Sequence, residues 1–142
     1  MEIKIAYGIM IIIERFYMYY INDIEFKCSI NVTLDIFNDR WKLSIIWHLL
    51  ESDKRFKDLH EEISEITQKT LTVKLKELEK KNIINREVFP EVPPKVVYSL
   101  TEAGKKLKPV LHEMFDWGVE YVKEYGQITK ENMCHTELNR NK

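Results

Sequence analysis

The chain has 142 residues, 44% hydrophobic and 32% charged, with a formal net charge of −1. That is enough for one soluble domain with a modest core, and the balance of apolar and charged residues excludes a disordered chain. A near-neutral total also excludes a globally basic nucleic-acid binder, so any nucleic-acid surface has to be local. Two cysteines, Cys28 and Cys134, are too few and too far apart for a disulfide framework. No CxxC and no Cys/His cluster indicates a metal, and a reducing cytoplasm is the expected compartment.

Residues 1–26 form an atypical apolar extension. Residues 5–13 carry no charge, but Glu14 and Arg15 interrupt the run before it reaches the roughly 20 apolar residues a membrane span needs. The segment also lacks the basic start and small-residue cleavage site of a signal peptide. Two readings stay open: an extra helix or strand buried on the domain or on a partner chain, or a start-site extension with Met10 or Met18 as the native beginning.

Residues 27–126 read as the folded domain, and residues 127–142 as a polar tail. Residues 32–37 suit a short helix with Leu34 and Phe37 inward. Residues 41–50 are apolar on nearly every side, as in a helix at the centre of a core. His48 within it is expected to be a packed or rim histidine rather than a ligand. A turn at residues 51–54 precedes a possible short strand at Arg55, and Phe56, Leu59 and Ile63 give the inner stripe of the next helix.

The informative stretch is residues 66–81. Leu71, Leu75 and Leu78 recur at i, i+4 and i+7, one stripe of a helix. Thr67 stands where an N-cap hydroxyl belongs, and Asn82 tolerates the left-handed conformation that ends a helix. The opposite face carries Gln68, Lys69, Thr72, Val73 and Lys76. Two tightly joined helices, the second polar and basic outward, predict a helix-turn-helix whose second helix enters the DNA major groove. From Gln68 to Arg86 there are six cations and two anions, a local excess of +4.

Residues 83–89 and 95–100 are rich in β-formers, and the prolines between them cannot continue a strand. A hairpin directly after a recognition helix predicts a wing, with Arg86 and Lys95 meeting phosphates or the minor groove. Thr101 is expected to cap one last helix, kinked near its start by Pro109. Its broad apolar stripe includes Leu111, Met114, Trp117 and Tyr121. The stripe exceeds what so small a core needs, which points to a dimer interface.

The sequence Arg86-Glu87-Val88-Phe89-Pro90-Glu91-Val92-Pro93-Pro94-Lys95-Val96-Val97-Tyr98-Ser99-Leu100-Thr101-Glu102-Ala103-Gly104 resembles the HxlR-type winged-helix transcription regulators, relatives of the MarR family. So do Arg40-Trp41-Lys42 leading into Ile45-Ile46-Trp47-His48-Leu49-Leu50, Lys54-Arg55-Phe56, and Thr67-Gln68-Lys69. The resemblance covers residues 28–125 and leaves residues 1–26 outside. It implies a mainly α fold with a small antiparallel β-hairpin wing, and a homodimer formed through the first core helix and the last helix. It also implies a palindromic operator on double-stranded DNA, more often repressed than activated. In one departure, Asn38-Asp39 replaces the glycine pair usual before Lys/Arg-Trp, which implies a stiffer turn.

Several members of that family carry a cysteine near the position of Cys28, and in some the thiol senses oxidants or electrophiles. Here the helix N-terminus and Lys27 favour the thiolate, so Cys28 is a candidate redox sensor. The DNA-binding candidates are Thr67, Gln68, Lys69, Thr72, Lys76, Arg86 and Lys95. The alternative reading is a winged-helix protein-interaction module without specific DNA binding. No catalytic constellation is present: His48, His60, His112 and His135 lack metal-ligand spacing, and Glu61-Glu62 reads as a solvated face. No cofactor, metal or membrane partner is expected, and the sequence names no effector.

Overall fold

The computed structural model describes residues 19–21 and 23–127. Most of the predicted N-terminal extension, the polar tail and Cys134 lie outside the described residues. The chain divides into two compact units, Met1–Leu43 and Ser44–Lys142. In the first, strands β1 (Tyr19–Ile21) and β2 (Ile24–Phe26) pair antiparallel, Tyr19 opposite Phe26. Asp23 takes a φ of 63° in the turn between them, a left-handed conformation that Asp accepts more readily than most residues. Helix α1 (Ser29–Phe37) follows. Leu34 is not inward as its spacing suggested: it is 51% exposed.

Helix α2 (Arg40–Glu51) contains the boundary between the units. The Asn38-Asp39 pair leads into it. Asp39 Oδ1 accepts from the Trp41 N–H at 2.9 Å and the Lys42 N–H at 3.3 Å, an N-cap that a glycine there could not supply.

The second unit holds the rest of α2, then β3 (Lys54–Arg55), α3 (Phe56–Glu62), α4 (Gln68–Lys80), β4 (Ile84–Phe89), β5 (Lys95–Leu100), α5 (Glu102–Lys105) and α6 (Lys108–Tyr125). Its antiparallel sheet runs β3-β5-β4, so the wing is anchored to the body by a two-residue strand. Ile45, Ile46, Leu49, Leu59, Ile63, Ile66, Leu71, Leu75, Leu78, Ile84 and Leu100 are buried together with Leu111. Each such side chain contributes roughly 1.5–3 kcal/mol relative to exposure. No helix among the described residues is long and apolar enough to cross a membrane.

The predicted single last helix is two helices. Lys106 and Leu107 break it, and Pro109 stands in the first turn of α6 rather than kinking a continuous helix. A proline there loses no hydrogen bond, because first-turn N–H groups have no intrahelical acceptor.

His48 is packed, as expected. Burial holds its imidazole below the ordinary value, against the opposing pull of Glu62.

Candidate nucleic-acid interface

The recognition helix is fixed at both ends by its own sequence. Thr67 Oγ1 accepts from the Thr70 N–H at 3.1 Å. At the other end Asn82 adopts a φ of 55°. The Asn82 N–H reaches Glu79 O at 2.9 Å and the Ile83 N–H reaches Leu78 O at 3.0 Å, the paired bonds of a Schellman motif. Leu78 and Ile83 are both buried across that turn. Upstream, Asp58 Oδ2 accepts from the Arg55 N–H at 2.9 Å and starts α3. Glu65 takes a φ of 68° in the connection to α4, between buried Ile63 and Ile66.

With Leu71, Leu75 and Leu78 buried, the opposite face of α4 is presented outward: Gln68, Lys69, Thr72, Val73 and Lys76 are all exposed. Not every predicted contact keeps its full chemistry. The Thr67 hydroxyl is occupied as the cap. The Thr72 hydroxyl donates to Gln68 O at 2.8 Å, which leaves it an acceptor and a methyl group to offer. Lys74 is tied to Glu77 at 3.2 Å. Gln68, Lys69 and Lys76 therefore carry the free donors of this face.

The wing separates its two predicted cations. Arg86 pairs with Tyr98, and Phe89 with Lys95. Side chains alternate along a strand, and Tyr98 and Lys95 are three residues apart, so Arg86 and Lys95 lie on opposite faces of the hairpin. Arg86 shares the Tyr98 face, toward α4, and lines one cleft with Thr72, Leu75, Lys76, Glu79 and Tyr98. Lys95 stands at the tip, its Nζ 5.2 Å from the centre of the Phe89 ring. Sequence reasoning missed Tyr98 and Glu79; strand parity, once the register is known, is the signal that finds Tyr98.

Behind the motif, Lys54 Nζ sits 2.7 Å from Glu62 and 3.7 Å from Glu51, and His48 Nδ1 is 3.2 Å from Glu62. His48, Glu51 and Glu62 bring three donor atoms within 4.8 Å of one another. The buried Lys54 ammonium already supplies the cation between those carboxylates, so the cluster is a structural tie between α2, β3 and α3.

The apolar stripe of α6 divides between two faces. Leu111 is buried in its own chain, and Phe115 stacks on Trp47 at 5.5 Å. Leu111 therefore belongs to the core. Val110, Met114, Trp117, Tyr121, Val122 and Tyr125 remain exposed, and Trp117, Tyr121 and Tyr125 form a continuous ladder of rings 5.0 Å apart. Cys28 is a free, exposed thiol at the N-cap of α1.

The HxlR-like helix-turn-helix family model matches residues 36–125. The HTH-type transcriptional regulator YdeP of Bacillus subtilis (strain 168) is 47% identical over 94 residues, which is 66% of this chain and 73% of YdeP. Among solved structures, the redox regulator HypR in its oxidised form aligns with a TM-score of 0.62 at 42% identity, over 66% of this chain and 96% of HypR. The reduced form of the transcriptional regulator YodB from B. subtilis aligns with a TM-score of 0.62 at 40% identity, over 68% of this chain and 94% of YodB.

Proposed function

The chain belongs to the HxlR-like helix-turn-helix family of transcriptional regulators, and from that premise we propose that it is a sequence-specific DNA-binding repressor. It acts in the cytoplasm as a homodimer joined through α1 and the exposed stripe of α6. The observation that carries this reading is the outward face of α4, where Gln68, Lys69 and Lys76 are exposed opposite a buried leucine stripe and beside Arg86 of the wing. A two-fold dimer places its recognition helices about one helical turn of DNA apart, ~34 Å, and so requires a palindromic operator.

The test is a titration of the protein against DNA upstream of its own gene and a scrambled control, at two salt concentrations. The upstream DNA should bind more tightly, and binding should weaken as salt rises. Lys76→Ala should weaken both DNAs alike and reduce the salt slope by about one, whereas Gln68→Ala should narrow the preference by roughly 1–3 kcal/mol. Affinity indifferent to salt would favour the protein-interaction module instead.

We further propose that Cys28 makes the regulator redox-responsive. Its exposed thiol at the start of α1 supports this, as does structural likeness to a protein described as a redox regulator. Diamide, which joins two thiols in a disulfide and itself takes up their two protons and two electrons, should change operator affinity in the parent but not in Cys28→Ser. Equal affinity before and after oxidation in the parent would remove the role.

A further inference from the structure

The cleft between α4 and the wing holds more chemistry than the outward face of α4 alone. Thr72, Lys76 and Glu79 stand at i, i+4 and i+7, so one stripe of α4 forms one wall. Leu75 also lines the cleft. The other wall is the cross-strand pair Arg86 and Tyr98. Tyr98 is only 8% exposed, yet its hydroxyl is neither sealed from solvent nor bonded to any described residue. A buried tyrosine normally finds a partner for its O–H. Here the residue is buried and lines a charged cleft, and its hydroxyl has no partner among the described residues.

Two cations and one carboxylate share that space, and among the described residues no ion pair joins Glu79 to Lys76 or Arg86. The local charge is one positive, and the free donors are an ammonium, a guanidinium and a phenol. That set matches a group with one negative charge and several acceptor oxygens. A phosphodiester carries one charge, whereas free phosphate near neutrality carries more.

Resting on the DNA-binding reading above, we infer that this cleft seats one phosphodiester of the DNA backbone, with Tyr98 Oη as its neutral donor and Glu79 as the counter-charge that limits its hold. Glu79 makes the contact weaker than Lys76 and Arg86 alone would give. A regulator that must leave its operator has use for such a limit.

The test compares the parent, Tyr98→Phe and Glu79→Gln, each shown by circular dichroism to melt like a folded protein, on upstream and scrambled DNA at two salt concentrations. Tyr98→Phe should weaken both DNAs equally, by roughly tenfold, since it removes one hydrogen bond to a charged acceptor. Its salt slope should stay unchanged, because no charge is lost. Glu79→Gln should tighten both DNAs several-fold. Inorganic phosphate added at constant ionic strength should leave DNA binding intact. Several results would overturn the inference. One is parent-like binding by both variants. Another is a Tyr98→Phe loss confined to one DNA, which would make the hydroxyl a base reader. A third is displacement of DNA by millimolar phosphate from the parent but not from Tyr98→Phe, which would make the ligand a free anion. A parent that binds no DNA would overturn the repressor reading instead.

Discussion

Gly104→Ala should lower the melting temperature by several degrees or more, although it replaces a poor helix former with the best one. A Cβ at position 104 would stand 2.3 Å from Ile83 O and 3.1 Å from Leu100 Cδ2. The first neighbour is backbone and cannot swing aside. Ile83 O already accepts from the Thr101 N–H at 3.0 Å, and Thr101 Oγ1 lies 2.7 Å from Asn82 O and accepts from the Gly104 N–H at 3.0 Å. One threonine thus joins three elements: the end of the recognition helix, the exit of the wing and the start of α5. Pushing α5 away loosens all three. Overpacking of this kind costs about 1–3 kcal/mol, occasionally more, and each kcal/mol moves the melting point of a domain this size by roughly 4–8 °C.

Gly118 supplies the control. It lies in the middle of α6, and a Cβ added there would meet nothing within 4 Å. Gly118→Ala should therefore raise stability by roughly 0.5–1 kcal/mol. The two substitutions are chemically identical and both helical, so opposite signs isolate the close approach at Ile83. Thermal melts followed by circular dichroism read both. A Gly104→Ala protein melting within a degree of the parent would mean that the strand-to-helix junction yields without loss.

The parts of this fold legible in the sequence are those set by short-range physics. The leucine stripe of α4, the Thr67 cap and the Asn82 stop each depend on neighbours within one or two turns, and all three are found as read. The wing strands were legible because prolines bound them. What was hidden depends on parity or on distant packing. Arg86 and Lys95 read as one pair of wing cations until the register puts them on opposite faces. Pro109 has the same identity whether it kinks a helix or starts one; only the break at Lys106 and Leu107 decides. Leu34 looks like a core residue by spacing, yet it is 51% exposed, because spacing marks an apolar face without saying what covers it. The β1-β2 hairpin was legible only as one alternative, a helix or a strand somewhere in residues 1–26, because its strands are three residues each and too short to show a period.

The same mixture of local pattern and distant packing governs α6, where the largest functional loss is expected. Trp117 is 67% exposed and heads a ladder with Tyr121 and Tyr125. From Val110 to Tyr125 the exposed stripe runs about 22 Å along the helix at 1.5 Å per residue. Two such stripes face to face would supply the apolar centre of an interface, toward the ~800 Å² per partner of a standard one. Met114→Glu combined with Trp117→Glu would bury four carboxylates there, two from each copy, with no basic partner in the stripe. The parent should sediment as a dimer and the variant as a monomer. Because one half-site contact no longer holds the other in place, affinity for the intact palindrome should fall by roughly 10²–10⁴-fold, while affinity for an isolated half-site stays near the parent's. The fold itself should survive, since both side chains face solvent in the single chain. Leu111→Ala separates the two effects: that residue is buried in its own chain, so its loss should cost about 2–5 kcal/mol of stability. A double variant that remains a dimer would place the interface elsewhere and leave the aromatic ladder of α6 for a different partner.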